Sequence, residues 1–203
     1  MFKYIASFIL VASVSVGYLV ANDNSLTIGQ DAPLFQATTI EGKEFDLKAL
    51  RGKVVVLEWK NHKCPYVVKH YTTMNMQELQ SWAKVKGVEW ISIVSSSPGK
   101  QGHLSAEAHK ELVVNEKSNA SHVILDESGD IGRMYHAKTT PHMYVINETG
   151  KLVYEGAIDD HRSARQKGLW AATNYVKDAV RATLEGQEVE IAQTPPYGCS
   201  VKY

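Results

Sequence analysis

The sequence lacks an excess of charge of either sign. Its 203 residues include 22 lysines and arginines and 22 aspartates and glutamates, so the formal net charge is zero at pH 7. Proteins that bind nucleic acid or an anionic membrane surface through their overall charge carry a clear basic excess. We therefore exclude nucleic acid as the partner. Internal repeats and low-complexity tracts are absent too, and the length predicts one globular domain.

Cysteine is nearly absent as well, with Cys64 and Cys199 as the only two. Two is the smallest number that can form a disulfide, and an oxidising compartment would favour pairing. The alternative is a pair of unrelated buried thiols, because free cysteine often packs as a small core residue.

The long apolar run of the chain lies at the N-terminus. Lys3 gives a short basic start and residues 4–16 are almost entirely apolar, which predicts that residues 1–21 are a secretory signal peptide. Read as far as Ala21, the run is at the lower limit of what can span a bilayer, so an uncleaved membrane anchor is the alternative. No cysteine follows the run to carry a lipid. We expect an exported protein, either periplasmic or secreted.

After residue 26 the pattern alternates between strands and helices. Residues 54–57 are β-branched or apolar without alternation, which is typical of a strand buried on both faces of a parallel sheet. Two short strands flank Gly42. The remaining elements are strands over 88–94, 122–125, 143–146 and 152–154, and helices over 66–86, 104–115, 131–135 and 169–184. This order predicts an α/β domain over residues 27–185, with a central mixed sheet flanked by helices and an N-terminal β-hairpin. Residues 186–203 are then a C-terminal tail that carries Cys199.

Cys64 lies where a thiolate would be stabilised. It falls between the strand 54–57 and a helix that Pro65 can begin, since proline is well tolerated at the first helical position. The free N–H groups and the dipole of the helix favour an anion there, and His62 and Lys63 add positive charge nearby. These features together predict a reactive thiol of lowered pKa rather than an inert core cysteine.

The residues around Cys64 resemble the active site of thioredoxins. VLEW at 56–59, followed by CPYV at 64–67, is similar to the active-site strand and the Cys-x-x-Cys motif of that family, with Val67 in place of the second cysteine. The order of the elements is also that of the thioredoxin fold. Across its full length, including the tail YGCSVKY at 197–203, the chain resembles the peroxiredoxin-like group of thioredoxin-fold redoxins.

The resemblance implies roles for further residues. Glu58 matches the buried acid that handles the proton of the resolving thiol in thioredoxins, the alternative being a plain buried, hydrogen-bonded glutamate. TTPH at 139–142 resembles the cis-proline loop, which implies a cis Thr140–Pro141 bond close to Cys64. Thr140 and Pro141 would then form the substrate-binding groove for an extended peptide.

The peroxidatic motif of peroxiredoxins is not matched. Their peroxidatic cysteine corresponds to Val67, and their motif needs a threonine or serine three residues before that cysteine. Counted from Cys64 that position holds Asn61, and counted from Val67 it holds Cys64 itself. The hydroxyl and the arginine that orient a peroxide are therefore not assigned.

We predict an exported oxidoreductase, either a thiol–disulfide oxidoreductase or a peroxiredoxin-like antioxidant protein, that exchanges with protein or small-molecule thiols and disulfides. Cys64 is the nucleophile, and no cofactor or metal is assigned. Because position 67 holds no cysteine, either an external thiol resolves the mixed disulfide or Cys199 reaches back from the tail to do so. We predict that Cys199 comes close enough to Cys64 to form a reversible disulfide. A thiol buried elsewhere under the tail is the alternative.

Two other functions remain open. One is copper handling, because a stretch rich in soft ligands could suit Cu(I): His62, Cys64, His70, Met74 and Met76. The other is a non-catalytic module that keeps the peptide groove. Asp159 and Asp160 follow a strand and are predicted to cap a helix rather than to act as an acid–base pair. The other histidines show no ligand spacing and are expected to be surface or capping groups: His103, His109, His122, His136 and His161.

Overall fold

The computed structural model describes residues 26–203, so the predicted signal segment 1–21 lies outside the described residues. Nine strands and five α-helices occur within this range. In chain order they are β1 (Gln36–Thr38), β2 (Glu44–Asp46), β3 (Val55–Trp59), α1 (Pro65–Thr72), α2 (Asn75–Val85), β4 (Glu89–Val94), α3 (Ala106–Asn115), β5 (His122–Leu125), α4 (Asp130–Met134), β6 (Thr139–Thr140), β7 (His142–Ile146), β8 (Leu152–Gly156), α5 (Tyr175–Leu184) and β9 (Cys199–Ser200).

Five of the strands form the central sheet, in the order β5-β4-β3-β7-β8. β3 is parallel to β4 and β4 to β5, whereas β7 runs antiparallel to both β3 and β8. β1 and β2 form a separate antiparallel hairpin near the N-terminus. The predicted α/β fold, with its mixed sheet and N-terminal hairpin, is therefore confirmed. Among residues 26–203, no helix has the length and apolar character needed to cross a membrane.

The central strand β3 separates two hydrophobic cores, and all five of its residues are buried. Val56 belongs to the core built with α1, α2 and α5, while Leu57 and Trp59 belong to the core under the N-terminal hairpin. Successive side chains of a strand point to opposite faces, so a strand covered on both faces is apolar at nearly every position. Each such side chain contributes about 1.5–3 kcal/mol when it is fully buried. Glu58 is the exception on this strand.

The helix predicted over 66–86 is two helices, α1 and α2. The hydroxyls of Thr72 and Thr73 donate to the carbonyls of Val68 and Lys69, and Met74 then adopts a left-handed conformation with φ 64°. Threonine hydroxyls that bond to the preceding turn compete with continuation of the helix, and β-branched residues are poor helix formers. The apolar spacing continues across the break, which is why the sequence pattern did not reveal it.

The helix predicted over 169–184 is shorter at its start. Residues 169–171 form a single 3-10 turn, and α5 begins at Tyr175. Asn174 caps it, because its side-chain oxygen accepts from the N–H of Lys177 at 2.8 Å.

The C-terminal segment is packed against the domain along much of its length. Gln193 pairs with Glu155 of β8, β9 pairs with β6, and Lys202 pairs with Ser96 after β4. The segment therefore crosses the end of the sheet at which β3 leads into α1, and it passes beside Cys64.

Candidate functional site

Cys64 is the N-cap residue of α1, as the sequence predicted, and its residue surface is fully buried. A tight turn carries the chain from β3 to this position: Asn61 accepts from the Cys64 N–H through its carbonyl at 3.0 Å and from the Lys63 N–H through its side chain at 2.9 Å. Pro65 occupies the first turn of the helix, where its missing N–H leaves no donor unpaired.

The Thr140–Pro141 peptide bond is cis, as the sequence predicted. Cys64 Sγ lies 3.0 Å from the carbonyl oxygen of Thr140 and donates to it when the thiol is neutral. The loop that precedes β7 is therefore in direct contact with the predicted nucleophile. Both residues of this loop that were expected to bind substrate thus lie at the site.

Cys199 reaches Cys64 through strand pairing. β9 runs antiparallel to β6, and Cys199 stands opposite Thr140. Gly198 permits this approach: its φ is 141°, and a Cβ atom at this position would lie 2.0 Å from the Thr140 carbonyl oxygen. The two sulphur atoms, Cys64 Sγ and Cys199 Sγ, are 2.7 Å apart, and both cysteines are free thiols. The predicted proximity of the two cysteines is confirmed.

The two thiols differ in acidity. Burial opposes ionisation of Cys64, but its hydrogen bond with the Cys199 side chain and the backbone N–H groups of Cys199 and Val67 together hold its pKa below the ordinary thiol value. Burial and the neighbouring Cys64 sulphur raise the pKa of Cys199 to about 11. The first proton therefore leaves Cys64, while Cys199 keeps its own and donates it to the Cys64 thiolate. The side chain that lowers the pKa of Cys64 most is Cys199 on the tail, not Lys63.

Glu58 is completely buried beneath the site. Its carboxylate accepts from four side chains that converge from α1, α2 and β4: Tyr71, Gln80, Trp90 and Ser92. Neither cysteine is among its hydrogen-bond partners. The contacts fit the alternative of a structural, hydrogen-bonded glutamate that fixes α1 and α2 against the sheet. The role of proton acceptor remains a prediction.

Three buried polar residues, whose connection the sequence did not predict, hold the tail in place. The Tyr197 hydroxyl donates to the carboxylate of Asp159, and the Lys69 ammonium group lies 3.2 Å from the same hydroxyl. Lys69 also donates to two loop carbonyls, those of His161 and Ser163. Burial raises the pKa of Asp159 and lowers that of Lys69, while the attraction between the two charges counters both shifts.

The prediction that Asp159 caps a helix is wrong. Asp159 is 2% exposed and joined to Tyr197, and the N-cap of the following helix α5 is Asn174. The cause is the long loop between β8 and α5, which separates both aspartates from the helix start in sequence; Asp160 accepts instead from the N–H of Thr173, the residue before the N-cap, at 3.0 Å. No sequence signal marks this anchor, because Lys69 lies two positions from both Val67 and Tyr71 and helical spacing puts it opposite that apolar face.

The residues considered for copper are dispersed. Met76 is buried in the core, and His70 is buried with its Nδ1 2.7 Å from the Asn75 side chain. Among residues 26–203 no group of three or more histidine, cysteine, aspartate or glutamate side chains is arranged to hold a metal ion. His109 was expected at the surface, which is wrong: it is 3% exposed and packs edge-on against His62. It lies on the face of α3 that packs inward, which the weak apolar periodicity of that helix did not reveal.

Comparison with known proteins gives the family of the chain. The AhpC/TSA family profile matches residues 28–155, more than half of the chain. The chain belongs to the AhpC/TSA family. Curated relatives of this AhpC/TSA protein are named thiol-disulfide oxidoreductase ResA. The protein from Bacillus cereus is 28% identical over 152 residues, covering 72% of this chain and 82% of the relative. The one from Bacillus subtilis is 29% identical over 150 residues, covering 71% and 78%.

Solved structures place the AhpC/TSA chain among thioredoxin-fold proteins. An uncharacterized conserved protein from Geobacillus kaustophilus has a TM-score of 0.76 at 26% identity, covering 89% of this chain and 94% of its own. The thioredoxin domain of a thiol-disulfide oxidoreductase from Bacteroides vulgatus has a TM-score of 0.51 at 21% identity, covering 64% and 89%, which shows the fold alone. Together with the curated relatives, the family identifies the protein as a thiol-dependent oxidoreductase.

Proposed function

We propose that the protein is a thiol–disulfide oxidoreductase that cycles Cys64 and Cys199 between a dithiol and an intramolecular disulfide. The observation that carries the proposal is the 2.7 Å separation of the two sulphur atoms. Because Cys64 ionises first and Cys199 holds its proton, the pair has one nucleophile and one resolving thiol. The relatives named thiol-disulfide oxidoreductase support the same chemistry.

The reaction proceeds in two exchanges. The Cys64 thiolate attacks one sulphur of a substrate disulfide, the substrate S–S bond breaks, and the leaving thiolate takes a proton from solvent. Cys199 then loses its proton and attacks Cys64 Sγ, which forms the Cys64–Cys199 disulfide and releases the second substrate thiolate. Two electrons pass from the protein dithiol to the substrate disulfide, and the reverse sequence oxidises a substrate dithiol.

Residues around the pair have supporting roles in this proposal. Thr140 and Pro141 line the position where the substrate sulphur meets Cys64, because the Thr140 carbonyl touches Cys64 Sγ. Glu58 holds the helix that Cys64 caps, through its hydrogen bond with Tyr71 at 3.0 Å. Action outside the cytoplasm is supported by the sequence of residues 1–21, which has the features of a secretory signal. An oxidising compartment would allow the disulfide to form.

The experiment compares the wild-type protein with Cys64→Ser and Cys199→Ser. Mild oxidation of the wild type should consume both thiols and produce a Cys64–Cys199 disulfide, seen by mass spectrometry of peptide fragments. With a model disulfide, Cys64→Ser should lose exchange, whereas Cys199→Ser should perform the first attack and stop as a mixed disulfide on Cys64. Two free thiols after oxidation, or full turnover by Cys64→Ser, would refute the proposal.

A further inference from the structure

The last seven residues, 197–203, form a strap that is anchored on both sides of Cys199. On one side the Tyr197 hydroxyl is held by Asp159 and Lys69. On the other, the Ser97 N–H donates to the Lys202 carbonyl at 2.9 Å and the Tyr203 hydroxyl donates to the Ala137 carbonyl at 2.8 Å. Cys199 is therefore held as part of a fixed segment rather than on a free chain end.

The Tyr203 anchor also includes its aromatic ring. The Arg133 guanidinium lies 4.8 Å from the ring centroid, and the ring packs so closely on Gly132 that a Cβ atom there would be 2.5 Å from the Tyr203 hydroxyl oxygen. A cation over an aromatic face is attractive, and the close packing on Gly132 adds van der Waals contact. This end of the strap is attached to α4 and the loop after it, away from both cysteines.

Between its anchors the strap occupies the strand edge beside Cys64. Ser200 stands opposite Thr139, Cys199 stands opposite Thr140, and the Val201 N–H donates to the Lys138 carbonyl at 3.1 Å. Extended polypeptides bind protein edges by adding a strand and making these same main-chain hydrogen bonds. Since the chain already pairs with its own edge, a polypeptide substrate would have to displace the strap first.

The two cysteine residues also differ in their exposure to solvent. Cys64 is fully buried, whereas Cys199 is partly exposed. A molecule that approaches the pair from solvent therefore meets the Cys199 residue before it meets Cys64. A small thiol can reach Cys199 without forming main-chain hydrogen bonds to the strand edge.

We infer that the Cys64–Cys199 disulfide is reduced by low-molecular-weight thiols that attack the sulphur of Cys199, and that the strap excludes extended polypeptides from this site. The inference rests on the proposed function, because it requires that the disulfide forms. It assigns Cys199 as the sulphur that exchanges with small thiols and Cys64 as the sulphur that leaves.

The steps balance as two thiol–disulfide exchanges. The small thiolate attacks Cys199 Sγ, the protein S–S bond breaks, and its electron pair leaves on Cys64 as a thiolate. A second small thiolate attacks the small-molecule sulphur of the mixed disulfide, which releases a low-molecular-weight disulfide and a Cys199 thiolate that takes a proton. Two small thiols are oxidised and one protein disulfide is reduced. Cys64 is the better leaving group, because the thiol of lower pKa leaves faster.

The first experiment measures where the small thiol attaches. The oxidised wild-type protein is mixed with one equivalent of 2-mercaptoethanol, quenched with N-ethylmaleimide and mapped by mass spectrometry. The mixed disulfide should lie on Cys199, with the maleimide on Cys64. A mixed disulfide on Cys64 would overturn the inference while leaving the proposed function intact. Absence of any Cys64–Cys199 disulfide in the oxidised protein would refute both.

The second experiment compares the reduction rates with 2-mercaptoethanol and with a short peptide that carries one central cysteine, at equal thiolate concentrations. The small thiol should react at least about tenfold faster, the factor that corresponds to breaking one or two strap hydrogen bonds. Tyr203→Ala loosens the Tyr203 anchor of the strap. It should raise the rate at which the peptide reduces the disulfide and leave the rate with 2-mercaptoethanol unchanged. Tyr203→Phe retains the ring and should show a smaller effect, and Val114→Ala, an exposed position on α3, should behave as wild type.

Equal rates for peptide and small thiol in the wild type would overturn the exclusion of polypeptides. If both rates rise by the same factor in Tyr203→Ala, the exclusion of polypeptides is also overturned. The strap would then shield the disulfide equally from small thiols and from peptides. Far-UV circular dichroism confirms that each variant is folded, and the wild-type rate ratio does not depend on any variant.

Discussion

The anchor of the strap can be tested with a single atom change, Tyr197→Phe. The substitution keeps the ring, which lies 5.8 Å from the Tyr66 ring and 4.8 Å from the Lys69 ammonium group. It removes the hydroxyl that donates to Asp159 and lies within hydrogen-bond distance of Lys69. Apolar packing is thus preserved, and only the polar connection between the strap and the domain is lost.

The size of the loss in strap stability follows from the hydrogen bonds that Asp159 and Lys69 retain in Tyr197→Phe. Asp159 retains the His161 N–H at 3.0 Å, and Lys69 retains its two loop carbonyls, so neither charge is left without a partner. A hydrogen bond to a charged group is worth about 1.5–3 kcal/mol, and we expect a loss of about 2 kcal/mol from docking of the strap. This corresponds to about a 30-fold larger population of the undocked strap, at 1.4 kcal/mol for each factor of ten.

Amide hydrogen exchange measures this population directly. The Val201 N–H, which bonds to Lys138 across β6, should exchange about 30-fold faster in Tyr197→Phe than in the wild type if its exchange occurs through undocking of the strap. The Asp126 N–H, bonded to Val94 at 2.9 Å, reports on the sheet and should not change. Tyr66→Phe is the matched control, since the Tyr66 ring lies beside that of Tyr197 and no hydrogen bond joins its hydroxyl to the described part of the chain. If both variants exchange at the same rate, Tyr197 does not anchor the strap through its hydroxyl.

Three further measurements test the site and the core. In an ultraviolet titration of the thiolates, Cys64 should ionise below the ~8.5 of a free thiol, and Cys199 at about 11; two overlapping steps near the free value would contradict the assignment. Burial lowers the pKa of His109 from the ordinary 6.5 of histidine to about 4, so folded stability should fall as pH drops from 6.5 to 4. His109→Leu should reduce that slope by up to ~1.4 kcal/mol per pH unit, and an unchanged slope would show a normal pKa. Glu58→Gln should lower the free energy of unfolding in urea by about 2–3 kcal/mol, because the amide NH2 of glutamine is itself a donor and would face side chains that donate to the carboxylate. A shift in the pH midpoint of thiol–disulfide exchange in this variant would instead make Glu58 the proton acceptor.

The sequence predicts the central sheet well because its strands are defined by local composition. β5 was predicted at its observed bounds and the other sheet strands within a few residues. The position of Cys64 was predictable for the same reason, since an apolar strand followed by Cys-Pro specifies a helix N-terminus. The cis Thr140–Pro141 bond was predictable through resemblance, because the motif TTPH carries it.

The elements that the sequence predicted poorly depend on contacts between distant residues. The break between α1 and α2 arises from threonine hydroxyls that bond to the preceding turn, while the apolar spacing runs on across it. The anchor of the strap joins residues on α1, the loop after β8 and the C-terminal segment, positions separated by up to 128 residues. Nothing in the local sequence of any one of them indicates the other two.

The position of Cys199 explains why so much of the tail is tied down. In a Cys-x-x-Cys motif the second thiol is held by the helix itself, but here that place is filled by Val67, which is fully buried. A thiol on a free chain end would spend most of its time away from Cys64, so its effective concentration would be low. Two features directly before Cys199 remove that freedom: Tyr197 is fixed in a buried polar network, and Gly198 allows the backbone to touch Thr140. Pairing of Cys199 with Thr140 then brings the two sulphur atoms together. The tertiary anchor thus does for Cys199 what three residues of helix do in the two-cysteine motif, and the proposed redox pair would be only as persistent as the docking of the strap.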